Sequence, residues 1–203
     1  MRLASAEGLG AITIGRLAKE LGMTKSGLFA HFGSKTKLQL ETIAAARRSF
    51  YEQVMDPAGE TKGIARVWSL CDLWLKHMQK RAFPGGCFFT STFFAHEGRS
   101  NALRDEITAV LKDWSKLLKS AVREAQARKE IGEKVAAGKV AFELSAVVIG
   151  GYWTAQLLRD ERAWDRSRIL ILERLREHTT DEIPDSALKD PQSWRKYLEK
   201  LAD

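Results

Sequence analysis

The residues best suited to chemistry form a run of small polar and basic side chains at residues 22–38, GMTKSGLFAHFGSKTKL. Basic residues lie on both sides of an aromatic pair in this run. Lys and Ser side chains hydrogen-bond to phosphate oxygens and base edges of DNA, and small residues let a helix backbone come close to a duplex. The run therefore predicts a DNA-contacting surface formed by Lys25, Ser26, Gly27 and His31. An ordinary solvated amphipathic turn has the same composition and is the alternative.

Other groups that could support chemistry lack the necessary spacing. The two cysteines, Cys71 and Cys87, are 16 residues apart and form no CxxC pair. His77 and the His96–Glu97 pair show neither metal-ligand spacing nor a cluster of carboxylates. The sequence also contains no nucleophile elbow, phosphate-binding loop or dinucleotide fingerprint. We expect no catalysis, no metal and no cofactor.

A first helix that could position this surface begins after Thr13. Ile14, Leu17, Ala18 and Leu21 follow at helical spacing, and Thr13 is a favourable N-cap. Gly22 is suited to ending this helix because glycine adopts positive φ without strain. A short Arg2–Ala6 helix is predicted before it.

The second helix is predicted to begin at Thr24 as its cap and to end at Gly33. Leu28, Phe29 and Phe32 are predicted to face the core. A third helix begins after Ser34, with its inward positions at Leu38, Ile43 and Phe50. Two short helices joined by a glycine-containing turn predict a helix-turn-helix.

The remaining sequence predicts an all-α protein with two domains. Helical periodicity continues at about 61–80, 101–129, 138–161 and 164–178, and the tail after Pro184 contains one more short amphipathic element. The composition changes at Asp56–Gly59. We therefore predict a helix-turn-helix domain at residues 1–50 and a larger helical domain at residues 51–203.

The charge distribution agrees with a nucleic-acid module. The chain carries +7 in all, and residues 1–50 hold eight Lys and Arg against three Glu, a net charge of +5. A basic excess in one quarter of a chain is the footprint of a nucleic-acid partner, although a solvated basic face looks the same. The sequence shows neither a run long enough to cross a bilayer nor a signal peptide, so we expect a soluble, cytoplasmic protein.

Residues 13–38 resemble the DNA-binding domain of the TetR family of transcriptional regulators through the pattern TIxxLAxxLGMTxxxLFxHFxSKxxL. The resemblance implies that Thr13 and Lys35 bind the DNA backbone at helix N-termini. It also implies that His31 contacts a phosphate or a base edge. The residues that it places in the major groove are Thr24, Lys25, Ser26 and Gly27.

Two positions depart from the family pattern. Phe29 lies where the family usually has a tyrosine, whose hydroxyl typically reaches a phosphate, so this bond is lost. The first helix before Gly8 is also shorter than is normal for the family. Both departures predict weaker binding in an unchanged mode.

For the second domain, the resemblance implies a small-molecule site among the middle helices. An apolar or aromatic ligand would suit the aromatic residues there, and core filling is the alternative. The residues that we assign to this site are Trp68, Cys87, Phe88, Phe89, Phe93, Trp114, Trp153 and Gln156.

The resemblance further implies a homodimer formed by the last two long helices. The adjacent glycines at 150–151 predict a close helix contact, since glycine within a helix is otherwise unfavourable. Packing inside one chain is the alternative. The residues assigned to the dimer interface are Val147, Gly150, Gly151, Leu158, Ile169, Leu172 and Leu175.

These features predict a homodimeric regulator, specifically a repressor released from a pseudo-palindromic operator by a small ligand. One alternative is a small-molecule binding protein or an enzyme whose helix-turn-helix is vestigial. Another is a helical scaffold that binds no ligand.

Overall fold

The computed structural model describes residues 2–80, 87–89, 92 and 102–179. These residues form helices without a β-strand, and their single bridge joins Ile131 to Thr179, so the predicted all-α fold is confirmed. None of the described helices is long and apolar enough to cross a membrane. The helices are α1 Arg2–Glu7, α2 Ile14–Leu21, α3 Lys25–Phe32, α4 Lys35–Phe50, α5 Asp56–Ala58, α6 Gly63–Gln79, α7 Ala102–Ala127, α8 Ala137–Leu157 and α9 Arg162–His178.

The chain packs into two units, which are described separately below. The first comprises Met1–Tyr51 and Arg81–Lys112, and the second comprises Glu52–Lys80 and Asp113–Asp203. The predicted domains at 1–50 and 51–203 require one boundary in the sequence. The observed units each consist of two separate segments, because Phe88, Phe89 and the first turns of α7 group with the N-terminal helices. The predicted tail element after Pro184 lies outside the described residues.

The N-terminal helices begin and end where their capping residues predict. The hydroxyl oxygens of Thr13, Thr24 and Ser34 each accept a hydrogen bond from the backbone N–H three residues later, at 3.1–3.2 Å. These bonds satisfy donors that a helix leaves unpaired at its start. Gly22 ends α2 with a φ of 64°, and Gly33 follows α3 with a φ of 70°. All five predicted boundary residues are confirmed.

The core of the first unit lies between α2, α3 and α4. Buried side chains include Ile14 on α2, Leu28 on α3, and Leu38, Ile43 and Phe50 on α4. The inward positions predicted for α4 are therefore confirmed. A buried hydrogen bond from Gln39 Nε2 to the Leu9 carbonyl, 2.8 Å long, holds α4 to the short turn before α2.

One residue predicted to face this core, Phe29, lies on the surface instead and is 56% exposed. Leu21, at the end of α2, is also exposed, at 57%. A helix advances about 100° per residue, so Phe29 is turned about 100° away from the buried Leu28. The prediction for Phe29 was wrong because the neighbouring Leu28 and Phe32 already supply the inward face of this two-turn helix.

In the second unit, α8 and α9 pack closely at Gly151. A Cβ atom at this position would overlap the Ser167 hydroxyl, which donates a 2.8 Å hydrogen bond to the Ala163 carbonyl. Gly150 faces open space. The close helix contact predicted from the glycine pair therefore exists inside one chain and involves Gly151 alone.

A buried ion pair joins α6 to α9. Arg168 Nε donates to Asp72 Oδ1 at 2.7 Å, and both side chains are about 95% buried. Gln79 Oε1 accepts from Arg168 Nη2 at 3.0 Å, and Lys76 Nζ lies 2.7 Å from Asp72 Oδ2. Since buried charges are costly unless paired and hydrogen-bonded, this network fixes the position of α9 against α6.

Carboxylates from the end of α7 and the following loop cap the start of α6. Ile64 N donates to Glu130 Oε2 at 2.7 Å, and Gly63 N donates to Glu124 Oε1 at 3.3 Å. Gly63 has a φ of 59°, and a Cβ there would overlap the Glu130 carboxylate. The glycine therefore makes room for a cap that comes from more than 60 residues away in the sequence.

Candidate nucleic-acid interface

The α2–α3 pair has the geometry of a helix-turn-helix. Only residues 22–24 separate the two helices. Met23 N donates to the Ala18 carbonyl at 2.9 Å and Gly22 N donates to the Lys19 carbonyl at 3.4 Å, so the end of α2 folds back on itself. The chain then enters α3 through the Thr24 cap. The reversal leaves one side of α3 against the core and the other side in solvent.

The solvent side of α3 contains the residues predicted to contact DNA. Lys25, Ser26, Gly27 and His31 are exposed, whereas Leu28 on the opposite side is 4% exposed. No Asp or Glu occurs in α3 or in the first turn of α4. The exposed surface of α3 and of the start of α4 is therefore neutral or basic, which suits a partner with phosphate groups.

Ala30 also lies on this solvent side, and the sequence interpretation missed it. At about 100° per residue, Ala30 is 160–200° from both Leu28 and Phe32, which puts it on the side of α3 away from the core. Its neighbours at helical spacing are Ser26 and Gly27. The positions of Leu28 and Phe32 in the sequence were sufficient to predict that Ala30 lies on the opposite side of the helix.

The cap at the start of α3 also involves Ser26 and Gly27. Ser26 Oγ donates to Thr24 Oγ1 at 3.4 Å, and Thr24 Oγ1 accepts from Gly27 N at 3.1 Å. A Cβ at Gly27 would lie 3.0 Å from the Thr24 hydroxyl, which is tighter than ordinary packing allows. Glycine at this position preserves the cap and keeps the helix backbone accessible.

Lys25 extends along α2. Its Cε and Cδ atoms lie 3.9 and 4.0 Å from the position that a Cβ would occupy on Gly15. The aliphatic stem thus packs beside the α2 backbone, at one edge of the solvent side of α3. This position favours a phosphate contact by the ammonium over direct reading of bases.

Lys35 and Thr13 both lie at helix N-termini on the exposed surface. Lys35 Nζ donates to the Gly10 carbonyl at 2.8 Å, which joins the start of α4 to the turn before α2. The Thr13 hydroxyl caps α2 and remains exposed. Helix N-termini favour anions through their free N–H groups and dipole, so both positions suit phosphates.

The two remaining predicted contacts are aromatic. His31 is exposed and packs its ring edge-on against Phe32, with 4.6 Å between ring centroids. This contact orients the imidazole while leaving it accessible. The ring of Phe29 extends into solvent from α3 and has no hydroxyl with which to bind a phosphate.

The residues predicted to form a ligand site are divided between the two units. Phe88 and Phe89 pack edge-on in the first unit, where Phe89 also contacts Phe50 at 5.9 Å between centroids, and Cys87 is buried there. Phe93 lies outside the described residues. These contacts are consistent with the core-filling alternative for each aromatic residue.

In the second unit, the predicted site residues have different environments. Trp68 is buried. The Trp114 ring packs at a tilt of 55° against Trp74, with 4.4 Å between ring centroids, and its Nε1 donates to Ser145 Oγ at 3.2 Å. Gln156 is half-buried, while Trp153 is 43% exposed. The structure therefore does not place Trp153 in a common buried site with the Trp74–Trp114 pair.

The residues predicted to form the dimer interface also separate into core and surface. Gly151, Leu172 and Leu175 are buried within the chain, as the alternative of packing inside one chain requires. Apolar residues occur on two faces of these helices, one that packs within the chain and one that is exposed. The periodicity of the sequence does not distinguish the two faces. The other four assigned positions are exposed at Gly150 and Leu158 and half-buried at Val147 and Ile169.

Sequence comparisons agree with both parts of this architecture. The profile of bacterial regulatory proteins of the tetR family matches residues 1–42, and that of the tetracyclin repressor-like C-terminal domain matches residues 63–171. The nucleoid occlusion factor SlmA of Marinomonas sp. (strain MWYL1) is 29% identical over 140 residues, which are 68% of this chain and 70% of SlmA.

Solved structures share the fold at low sequence identity. A TetR transcriptional regulator from Chloroflexus aurantiacus J-10-FL has a TM-score of 0.79 at 21% identity, covering 88% of this chain and 90% of its own. AibR in complex with isovaleryl coenzyme A and operator DNA has a TM-score of 0.58 at 20% identity, covering 75% and 80%. With a helix-turn-helix at its start and a matching C-terminal profile, the chain belongs to the TetR family and is a DNA-binding transcriptional regulator.

Proposed function

We propose that the protein is a homodimeric repressor that binds a pseudo-palindromic operator through α3 and leaves it when a small molecule binds the second unit. The solvent side of α3 is the observation that carries this proposal. This capped, acid-free helix surface has Lys25 at one edge, and Lys35 begins the next helix. Such a surface fits a major groove between two phosphate backbones.

Operator binding requires two kinds of contact from the exposed residues, one to phosphates and one to base edges. Thr13 and Lys35 bind phosphates and set the position of the helix-turn-helix on the duplex. Residues of α3 then meet the base edges, which alone carry the sequence information. Two copies related by a two-fold axis place their α3 helices in successive major grooves, about 34 Å apart, and this geometry requires a palindromic site.

An exposed apolar surface on α8 and α9 supports the homodimer. Ile149, Trp153 and Leu157 recur at four-residue spacing on one side of α8, and Phe142 precedes them by two turns. Leu158 and Leu170 are also exposed. Large apolar surfaces on soluble proteins commonly mark interaction sites, and a second copy is the partner that the family fold favours.

The dimer has a direct test in the variant Trp153→Glu. A charge at this position opposes burial, so we expect the variant to sediment as a monomer where the unmodified chain sediments as a dimer. Leu111→Glu on α7 introduces the same charge at another partly exposed apolar residue and serves as the control. A dimer that survives Trp153→Glu unchanged places the interface elsewhere.

Release by a ligand follows from linkage between two binding sites. A ligand displaces the operator only if it binds better to a conformation that holds DNA poorly, and couplings of about 1–3 kcal/mol are typical. AibR has been solved in complex with isovaleryl coenzyme A and operator DNA, so binding of a small molecule and of an operator occurs in another protein of this fold. The tryptophans of the second unit and the Ser145 hydroxyl favour an apolar or aromatic ligand.

Selection from a random DNA pool tests the proposal. We expect recovery of a two-fold symmetric site, with specific DNA outcompeting random DNA and log K falling steeply with log salt. A small molecule that releases this site is expected to raise the melting temperature of the free protein. Weak binding that is equal for every sequence would favour the alternative, a binding protein or enzyme with a vestigial helix-turn-helix.

A further inference from the structure

Some of the hydrogen-bonding groups at the start of α3 are used within the protein. The Ser26 hydroxyl donates to Thr24, whose own oxygen receives the Gly27 N–H. The Lys25 stem lies along α2, beside Gly15, at the edge of the helix. Base recognition by hydrogen bonds needs side chains that extend freely from the exposed side. Ser26 and His31 are the exposed polar side chains of α3 that remain for it.

The exposed side of α3 also presents apolar groups beside Ser26. Ala30 lies opposite the buried Leu28 and presents its methyl group to solvent. Phe29, one position earlier, presents an aromatic ring that is 56% exposed. Gly27 precedes Ala30 by one turn and adds no side chain, so the backbone can approach a base pair closely. Together these residues form a reading surface, Gly27–Phe29–Ala30, that offers carbon atoms rather than polar groups.

The major groove presents a single apolar group, the C5-methyl of thymine. All other distinguishing groups at the base edges are hydrogen-bond donors or acceptors, which an apolar side chain would desolvate without compensation. Contact between the Ala30 methyl or the Phe29 ring and a thymine methyl removes apolar surface from water on both partners. The two chemistries are complementary.

We propose that this protein recognises its operator in part through thymine methyl groups, read by Ala30 and Phe29. The inference rests on the proposed operator binding and deepens it. Each half-site then contains thymines at positions facing the reading surface. Adenine on the same strand is rejected there because it offers N7 and N6 and no methyl group.

Deoxyuridine substitution tests the proposal because it removes the methyl group and leaves base pairing unchanged. The full chain is first used to select a site from a random pool. Each thymine of the recovered site is then replaced singly by deoxyuridine, and the dissociation constant is measured by fluorescence anisotropy. We expect an increase of about threefold to fivefold at one or two thymines in each half-site, as the loss of one buried methyl predicts.

Two variants assign the effect to residues. Ala30→Ser replaces the methyl with a hydroxymethyl group, and Phe29→Ala removes the ring. Each is expected to bind the thymine and deoxyuridine forms of its contacted position equally, while the salt dependence of binding to random DNA stays unchanged. The matched control Ala127→Ser, at the end of α7, is expected to retain full discrimination.

The scan of the unmodified chain decides the proposal even if a variant fails to fold. Tight, selective binding that is indifferent to deoxyuridine at every position overturns methyl recognition and leaves the proposed function intact. Failure to recover any preferred site overturns both.

Discussion

Lys35 Nζ donates a 2.8 Å hydrogen bond to the carbonyl oxygen of Gly10, a residue 25 positions earlier in the sequence. Both residues are exposed. A lysine ammonium has three donors, so this bond holds the cation in place and leaves two donors for another acceptor. The position most suited to a phosphate is therefore oriented before DNA arrives, which lowers the entropy cost of binding.

The first prediction concerns Lys35→Ala. Loss of one phosphate contact is expected to weaken binding to specific and random DNA alike and to reduce the salt slope by about one. Lys116→Ala, an equal charge change on α7, is the control and should leave both quantities unchanged. A variant that lost affinity only for the selected site would show that Lys35 reads bases.

Phe29→Tyr is expected to strengthen DNA binding. Because the ring extends into solvent, an added hydroxyl can reach a phosphate without entering the core, and one hydrogen bond contributes about 1 kcal/mol, or roughly fivefold in affinity. Leu111→Tyr on α7 adds a phenol at another partly exposed apolar residue and serves as the control. Unchanged affinity for Phe29→Tyr would mean that the ring lies away from the phosphate backbone.

Local features of the fold were predictable from the sequence, whereas the partners of apolar residues were not. Thr13, Thr24 and Ser34 cap helices through bonds to residues three positions away, so their roles depend on adjacent sequence alone. Phe29 has the same apolar character as residues of the core. Only the packing of α3 against its neighbours assigns it to the surface.

The same distinction applies to the apolar residues of the last two helices and to the long-range contacts. Leu158 and Leu172 are alike in sequence, yet one is exposed and the other is buried, because the chain supplies a partner to only one of them. Asp72 and Arg168 are 96 residues apart. No periodicity links them, so their pairing becomes visible only when α6 and α9 are packed together.

Arg168→Met is expected to lower the free energy of unfolding by about 3–5 kcal/mol, because it leaves the Asp72 carboxylate buried with Lys76 as its remaining cation. Adding Asp72→Leu should recover part of this loss by removing the buried carboxylate. Urea denaturation measures both effects. Arg166→Met, at an exposed ion pair, is the control. Equal small losses for Arg166→Met and Arg168→Met would contradict a structural role for the buried network.

The stability of the second unit is expected to depend on pH through His77. Burial lowers the pKa of His77 below its ordinary value of 6.5, and its Nδ1 atom lies 3.0 Å from Gln53 Oε1. As the pH falls through 6.5, the unfolded chain takes up this proton before the folded chain does, so the free energy of unfolding decreases. The stabilising contribution of the neutral His77 side chain is fully present above about pH 6.5.

His77→Gln removes this titration. Between about pH 7 and pH 5.5, urea denaturation should show a flatter dependence of stability on pH for the variant than for the unmodified chain. His31→Gln, at an exposed histidine in the first unit, provides the comparison. Identical slopes for His77→Gln and the unmodified chain would show that this imidazole does not contribute.

Competition between two duplexes tests operator recognition by α3 most directly. The full chain is bound to its selected palindromic duplex and challenged with a scrambled duplex of equal length and composition, over a salt series from about 50 to 200 mM. We expect the selected duplex to bind at least about a thousandfold more tightly, with both affinities falling as salt rises. Equal affinity for the two duplexes at every salt concentration would contradict sequence-specific regulation by this protein.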